Sequence, residues 1–525
     1  MINPTELEQG GTESDIATVP EAAPSRRRFF AMGTSAVAAL AAAQAVSAQP
    51  PRAGGGRGAP LPAGTTPGAD VSLGWRDPVL RLVRRLTMGL SPDEVARARQ
   101  LGFSGYLEYQ LNPAAIDDSV VDTLLATRLP MLAMTGAALR TQDRTEVMNQ
   151  LADAAWYRAL FSRKQLYERM VEFWTDHFSI DIEVGNVGFN KLLDDRDVIR
   201  RHAMGNFRDL LKASAQSAAM LNYLNQNSSR TPTPNQNYAR EIMELHTLGV
   251  DGGYTQTDVA ELSRILTGWS TNTDGTFLWR RTYHDRNAKT FLGQLFPGMA
   301  STATDVEMKG EGDRAIDMLL AHPSTARFVS TKMARWLLSY EPPASVIDAT
   351  AATFTRTGGD IRAMIRTIVT SKNLMAAPAK YKRPFHLAIS AMRALGATPA
   401  TVPNVRNARR NNEGLGMPLF RWDQPDGFPD SIAWWSGLVL SRWTHMQYLS
   451  AQTSTTTYRS DSMLFRAPDN ADGVVQQITT RLFAGEMPTA LRASLLSYLR
   501  GGTYNDARVR ETLSLAMSAN EFQWY

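Results

Sequence analysis

Glu241 and Glu244 stand three positions apart inside the segment Asn235-Gln236-Asn237-Tyr238-Ala239-Arg240-Glu241-Ile242-Met243-Glu244-Leu245-His246-Thr247-Leu248-Gly249. Asparagine is a good N-cap and glycine a good residue just past a helix end, so the segment predicts a helix over 237–248. At about 100° per residue the two carboxylates fall within about 60° of each other, on the face that also carries Leu245 and Leu248. Carboxylates on an apolar face need a metal ion, a shared proton or arginines to offset the cost of desolvation. The pair therefore reads either as divalent-metal ligands or an acid/base couple, or as part of a lattice with Arg240 and with Arg264 on the following helix. His246 projects about 140° away from Glu241 and does not join them.

A second cluster is Tyr283-His284-Asp285-Arg286-Asn287-Ala288-Lys289. An adjacent His-Asp pair in a loop can orient an imidazole or supply two metal ligands, and the alternative is a turn closed by Asp285 on backbone amides. His177 shares a helical stripe with Met170, Phe173 and Trp174, so it reads as a hydrogen-bonded core histidine or as a ligand that reaches the glutamates. The resulting candidate site has Glu241, Glu244, His284, Asp285 and Lys289 as catalytic groups. His177, Glu241, Glu244 and His284 are its metal ligands. The loop Asp251-Gly252-Gly253-Tyr254 lacks the D-x-D-x-D-G calcium pattern, and Thr255 to Asp258 reads as the cap of the next helix.

Other chemistries are excluded by what is missing. The chain has no cysteine, which removes thiolate zinc sites, iron–sulfur clusters, attached haem and cysteine nucleophiles, so any metal sits on histidine or oxygen ligands. There is no G-x-x-x-x-G-K, no G-x-S-x-G, and none of the seven histidines stands in H-E-x-x-H or E-x-x-H. Residues 1–48 carry three arginines and five carboxylates; removing them from a net charge of +5 leaves +7 on the remainder. That excess is spread thinly, which suits an anionic envelope polymer and gives no nucleic-acid groove.

The elements that position these groups follow an N-terminal leader. Ser25-Arg26-Arg27-Arg28-Phe29-Phe30, then the alanine-rich run to Ala48, has the form of a twin-arginine export signal with Val46-Ser47-Ala48 as the cleavage site. The run is too short and too often broken by Gly33 and Gln44 to be a permanent membrane anchor. Residues 49–72 are Pro/Gly/Ala-rich and read as a linker. From residue 73 to 525 a single domain is expected. Helices are predicted from the capping box Ser91-Pro92-Asp93-Glu94 to Gly102, and over 144–160, 163–178, 190–203, 256–267, 323–338, 345–356, 383–396, 431–449 and 505–519. Period-two alternation is confined to Phe277 through Tyr283. The fold class is mainly α: a large irregular helical globule with long polar loops and at most a small β-hairpin.

Read together, several segments resemble a bacterial family, the domain of unknown function 1800. They are Arg84-Arg85-Leu86-Thr87-Met88-Gly89, Phe173-Trp174-Thr175-Asp176-His177-Phe178, Ile199 to Phe207, the Asn235–Gly249 helix, Leu266-Thr267-Gly268-Trp269, His284-Asp285 with Lys289, and Pro425-Asp426-Gly427-Phe428-Pro429-Asp430. In Lys382-Arg383-Pro384-Phe385-His386 the family pattern implies an acidic residue where His386 stands. The resemblance assigns no activity. It implies an exported protein and a partner from the domain of unknown function 1501 family, whose members are similar to alkaline-phosphatase-like and sulfatase-like proteins.

The sequence thus leads to a periplasmic or secreted protein, carried by the twin-arginine translocase, that acts as a metal-assisted hydrolase on an envelope or extracellular polymer. Its alternatives are a non-catalytic assembly or binding protein working with that partner, and a redox enzyme loaded with its cofactor before export. Replacing Arg26 and Arg27 together by lysine is expected to leave folded precursor in the cytoplasm on cell fractionation; unchanged export of the double variant would contradict the leader assignment.

Overall fold

Asp77 opens the body of the protein as an N-cap, its carboxylate accepting from the amides of Val79 and Leu80 at 2.8 and 3.3 Å, with Pro78 in the first helical position. Helix α1, Pro78–Leu86, follows directly. The structure is a computed structural model that describes residue 73 and residues 75–452 and 470–525. The leader and linker read from residues 1–72 lie outside the described residues.

Apart from the helix at Asp305–Ala321, the helices that build the site each overlap a stretch predicted to be helical. They are α2 (Pro92–Leu111), α3 (Arg144–Phe161), α4 (Gln165–His177), α5 (Val187–Asp194), α6 (Gln236–Glu241), α7 (Gln256–Ile265), α8 (Asp305–Ala321), α9 (Pro323–Leu337), α10 (Pro384–Ala394), α11 (Val439–Ala451) and α12 (Asp506–Ser518). Thr255 and Asp258 form the expected capping box on α7. At α2 the outcome differs: Ser91 makes no side-chain cap, because Glu94 instead accepts from the Tyr106 hydroxyl at 2.7 Å and from Gln110. Nor does α2 stop at Gly102, which bends the chain at φ 68° before the helix resumes. Two predicted helices change pitch part-way. After α5 the segment Asp195–Arg200 is π-helical, and after α6 so is Ile242–Thr247.

Antiparallel pairing is slight. Strand β1 (Trp269–Thr271) pairs with β2 (Phe277–Trp279), which realises the first half of the predicted strand before a 3-10 turn at Arg281–Tyr283. A second ribbon, β3 (Lys289–Phe291) with β4 (Gln294–Phe296), turns through Leu292 and Gly293 at positive φ, so there are two small ribbons where one was expected. No described helix is long and apolar enough to cross a membrane.

Apolar side chains gather into two large cores. One takes Leu82 and Leu86 of α1, Phe173 and Trp174 of α4 and Met333 and Leu337 of α9. The other takes Trp156 of α3, Leu387 and Met392 of α10, Met446 of α11 and Leu513 and Met517 of α12. Buried cations tie the elements of the two together: Arg85, Arg169, Arg383 and Arg442 rank with the tryptophans among the largest fully buried side chains. Arg85 gives one Nη to the Leu338 carbonyl at 2.6 Å and the other to the Pro378 carbonyl at 3.0 Å. Arg169 lies 4.2 Å over the Trp336 ring and donates to the Tyr525 hydroxyl, and Arg442 bonds Gln523 and the Lys382 carbonyl. Interior carbonyls at chain turns have no helix or sheet partner, and the five-donor guanidinium is the side chain that can satisfy several at once.

This seam sets a stability contrast. Arg85→Met strips the buried Leu338 carbonyl and the part-buried Pro378 carbonyl of their donor and is expected to cost about 1–3 kcal/mol, whereas Arg366→Ala breaks only the exposed pair with Glu108 and costs under about 1 kcal/mol. Urea midpoints of the two variants measure this, and equal shifts would contradict the seam.

Candidate functional site

Helix α4 carries Glu168, Glu172 and Asp176 at successive i, i+4 positions, which puts the three carboxylates on one face. Each meets an arginine. Glu168 takes both Nη atoms of Arg200 at 3.0 Å, while Arg200 Nε reaches Asp195 at 2.9 Å, so the π-helical segment is anchored at both ends. Glu172 pairs with Arg169 at 3.0 Å, and Asp176 with Arg383 at 2.6 Å.

Beside this face runs a small crevice, partly open to solvent. The acidic face forms one wall; Phe385 of α10, Met417, Phe420 and Phe428 supply apolar surface opposite. The loop Pro425–Asp430 presses on the end of α4. Gly427 has φ 79°, and a Cβ there would come within 2.2 Å of the Asp176 carbonyl oxygen, so only glycine allows this approach. Lys380 holds the far end of the loop through Asp430 at 2.6 Å.

Of the charged groups around the end of α4, Asp176 lines the crevice. Burial pushes the Asp176 carboxyl up to about 6, helped by the charge of Glu172 and opposed by Arg383. Its side chain is still 20% exposed, so it reaches the crevice. Lys332 of α9 makes no ion pair among the described residues, lies 5.6 Å from the Phe328 ring, and is brought down to about 8 by burial, with the charges of Asp176 and Asp426 opposing that shift. Asp426 is exposed and accepts from Trp422 Nε1 at 2.8 Å. Glu241 also makes no ion pair, feels both Glu244 and Asp426, and is raised first by burial.

The sequence-derived site residues divide among three neighbourhoods. Glu244 pairs with Arg240 at 3.3 Å, as the lattice alternative has it. The i→i+5 winding of Ile242–Thr247 alters the angle between Glu241 and Glu244 that an α-helix would impose. His284 sits elsewhere: its Nδ1 donates to the Thr267 carbonyl at 2.9 Å, and its Nε2 lies 3.2 Å from Glu311, the same carboxylate that Lys289 engages. Asp285 is raised by burial but more than offset by Arg264, 2.7 Å away, and by the Asn287 amide, which hold it below the ordinary carboxylate range. His177 is a core histidine whose Nε2 donates to the His246 carbonyl at 3.1 Å, with its ring against Phe173, Trp174 and Phe178.

His177, Glu244 and His284 thus have separate partners, and among the described residues no three His, Asp or Glu side chains form a metal-binding group. They do not fit a shared metal site. His386 is fully buried with neither ring nitrogen bonded, among Arg85, Arg169, Lys382 and Arg383. An acidic residue there would meet four cations.

A family model described as "Protein of unknown function (DUF1800)" matches residues 81–524. The chain belongs to this family. No curated protein and no solved structure matches it. Two of the DUF1800-like segments, 173–178 and 425–430, meet at the crevice, and 382–386 adds Arg383 and Phe385 to it. Asp176, Lys332, Arg383 and Asp426 were not singled out from sequence. The available signal was the meeting of those segments, which only the fold reveals.

Burial holds His246 down to about 3 and His177 well below its ordinary value. Both are neutral in the folded state, so the unfolded chain binds more protons, and stability falls as pH drops below about 6.5, by about 1.4 kcal/mol per pH unit for each histidine. Asp176, raised to about 6, contributes with the opposite sign between about 3.8 and 6. Urea unfolding of wild type and His246→Gln at pH 7 and pH 5 isolates the histidine: the variant is expected to lose less stability on acidification, and identical losses would show that His246 is not held neutral.

Proposed function

We propose that this protein works outside the cytoplasm as a hydrolase on an envelope or extracellular polymer, using carboxylate acid–base chemistry at the mouth of the crevice. The observation that carries this reading is that Asp176, which lines the crevice, lies close enough to Lys332 to raise its pKa, as Asp426 also does, with Asp176 near 6 and Lys332 near 8. Groups that straddle neutral pH inside a cleft, shifted by burial and by specific neighbours, are the physical signature of proton transfer. Protonated Asp176 gives its proton to the leaving oxygen as the bond to carbon breaks. Water supplies the oxygen that replaces it, and the water proton passes to the Asp426 carboxylate. Lys332, brought down to about 8 by burial, is cationic below that pH. No step of this reading runs through a metal.

A second reading is a non-catalytic assembly or binding protein acting with a partner of the domain of unknown function 1501 family. It is favoured by the pairing of Glu244, Asp285 and Lys289 with their own counter-ions. Incubation with cell-wall and capsular polymers separates the two. The hydrolase reading expects soluble fragments from at least one polymer and a loss of rate in Asp176→Asn of about a hundredfold or more. No fragments from any polymer, or full activity in the variant, would favour the second reading.

A further inference from the structure

The loop that covers the crevice continues into a group of aromatic side chains whose members have different surroundings. Phe428 and Trp435 are buried, the latter donating to the Pro429 carbonyl at 2.8 Å. Trp434 is 53% exposed. Its ring stands 5.4 Å from that of Trp422 at 81°, and Trp422 is the residue whose Nε1 holds Asp426. The exposed indole is therefore joined through one side chain to the proposed base. Asp423, Gln424 and Asp426, all exposed, lie on the same loop as Trp422.

We propose that Trp422 and Trp434 form a subsite for a pyranose ring, so that the polymer entering the crevice is a carbohydrate chain; this rests on the hydrolase reading above. A pyranose has an apolar C–H face and a rim of hydroxyl donors. The indole face removes the first from water, and a half-exposed tryptophan does so with few rotatable bonds to order. The carboxylates and the amide accept from the second. A purely apolar ligand would desolvate those carboxylates without compensating hydrogen bonds. The chemistry of the crevice agrees, because glycosidic bonds are cleaved by a pair of carboxyl groups, one of them with a raised pKa. The chain also lacks G-x-S-x-G and any cysteine, the usual signatures of acyl-transfer nucleophiles. A basic peptide could approach the same indole through cation–π contact, which makes it the competing occupant.

The test is affinity electrophoresis of Asp176→Asn, in which turnover is blocked, through gels containing hydroxyethylcellulose, glycol chitin or dextran. Retardation by at least one of them is expected, with Trp434→Ala weakening it about tenfold or more while leaving the melting temperature unchanged. The same comparison in otherwise wild-type protein at 4 °C guards against misfolding of Asp176→Asn. No retardation in any gel, equal retardation with and without Trp434, or Trp434-dependent binding of polylysine alone would overturn the subsite. Polymer hydrolysis that is indifferent to Trp434 would sink the subsite and spare the acid–base reading. Trp434-dependent glycan binding with no hydrolysis would do the reverse.

Discussion

A guanidinium cannot be taken out of water without counter-charge or acceptors, and this protein buries four of them completely. That requirement organises the rest. Arg85, Arg169 and Arg442 are spent on backbone carbonyls, aromatic faces and polar side chains, which tie α1, α4 and α11 to the segments around residues 338, 378 and 523. Arg383 is different: its counter-charges are Asp176 and Glu172, both from α4, so α10 and the carboxylate face of α4 must meet in one register. Slipping either helix would strand charge in the interior.

The crevice follows from the same constraint. Because Asp176 is turned toward Arg383, the end of α4 is flat enough for the Pro425–Asp430 loop to lie on it, and Gly427 makes the approach without a side chain. Burial beneath that loop disfavours the Asp176 anion more strongly than Arg383 favours it, so a group that holds the fold together also titrates near neutrality. Structural pairing and proton handling are here two consequences of one placement. The His284, Lys289 and Glu311 cluster shows the contrast: a fully buried group in which Lys289 and His284 share one carboxylate has no opening through which a reactant could enter.

Helix starts were legible where they depend on local signals: the Thr255 and Asp258 box caps α7, and α9 begins at Pro323 where the sequence sets it. The two π-helical segments were not, since the α periodicity used to read faces does not mark the extra residue in a turn. The same limit touched the site. Glu241 and Glu244 were grouped by an angle that holds for an α-helix, and Glu244 was correctly given Arg240 as one alternative because that partner is a single turn away. Glu311 for Lys289 and Arg383 for Asp176 are distant in sequence, and no spacing rule connects them. The segments containing Asp176 and Asp426 were already conspicuous, but only their contact in space gives them a joint role.

Asp176, wedged between Arg383 and the glycine loop, is on this reading a proton-exchanging group at neutral pH and not a permanently ionised partner of an arginine. Carbon-detected NMR titration of protein labelled at the aspartate carboxyl carbons, with Asp176→Asn to assign the signal, tests it directly. The account predicts a transition near pH 6; a transition at or below the ordinary aspartate value of about 3.9 would contradict it.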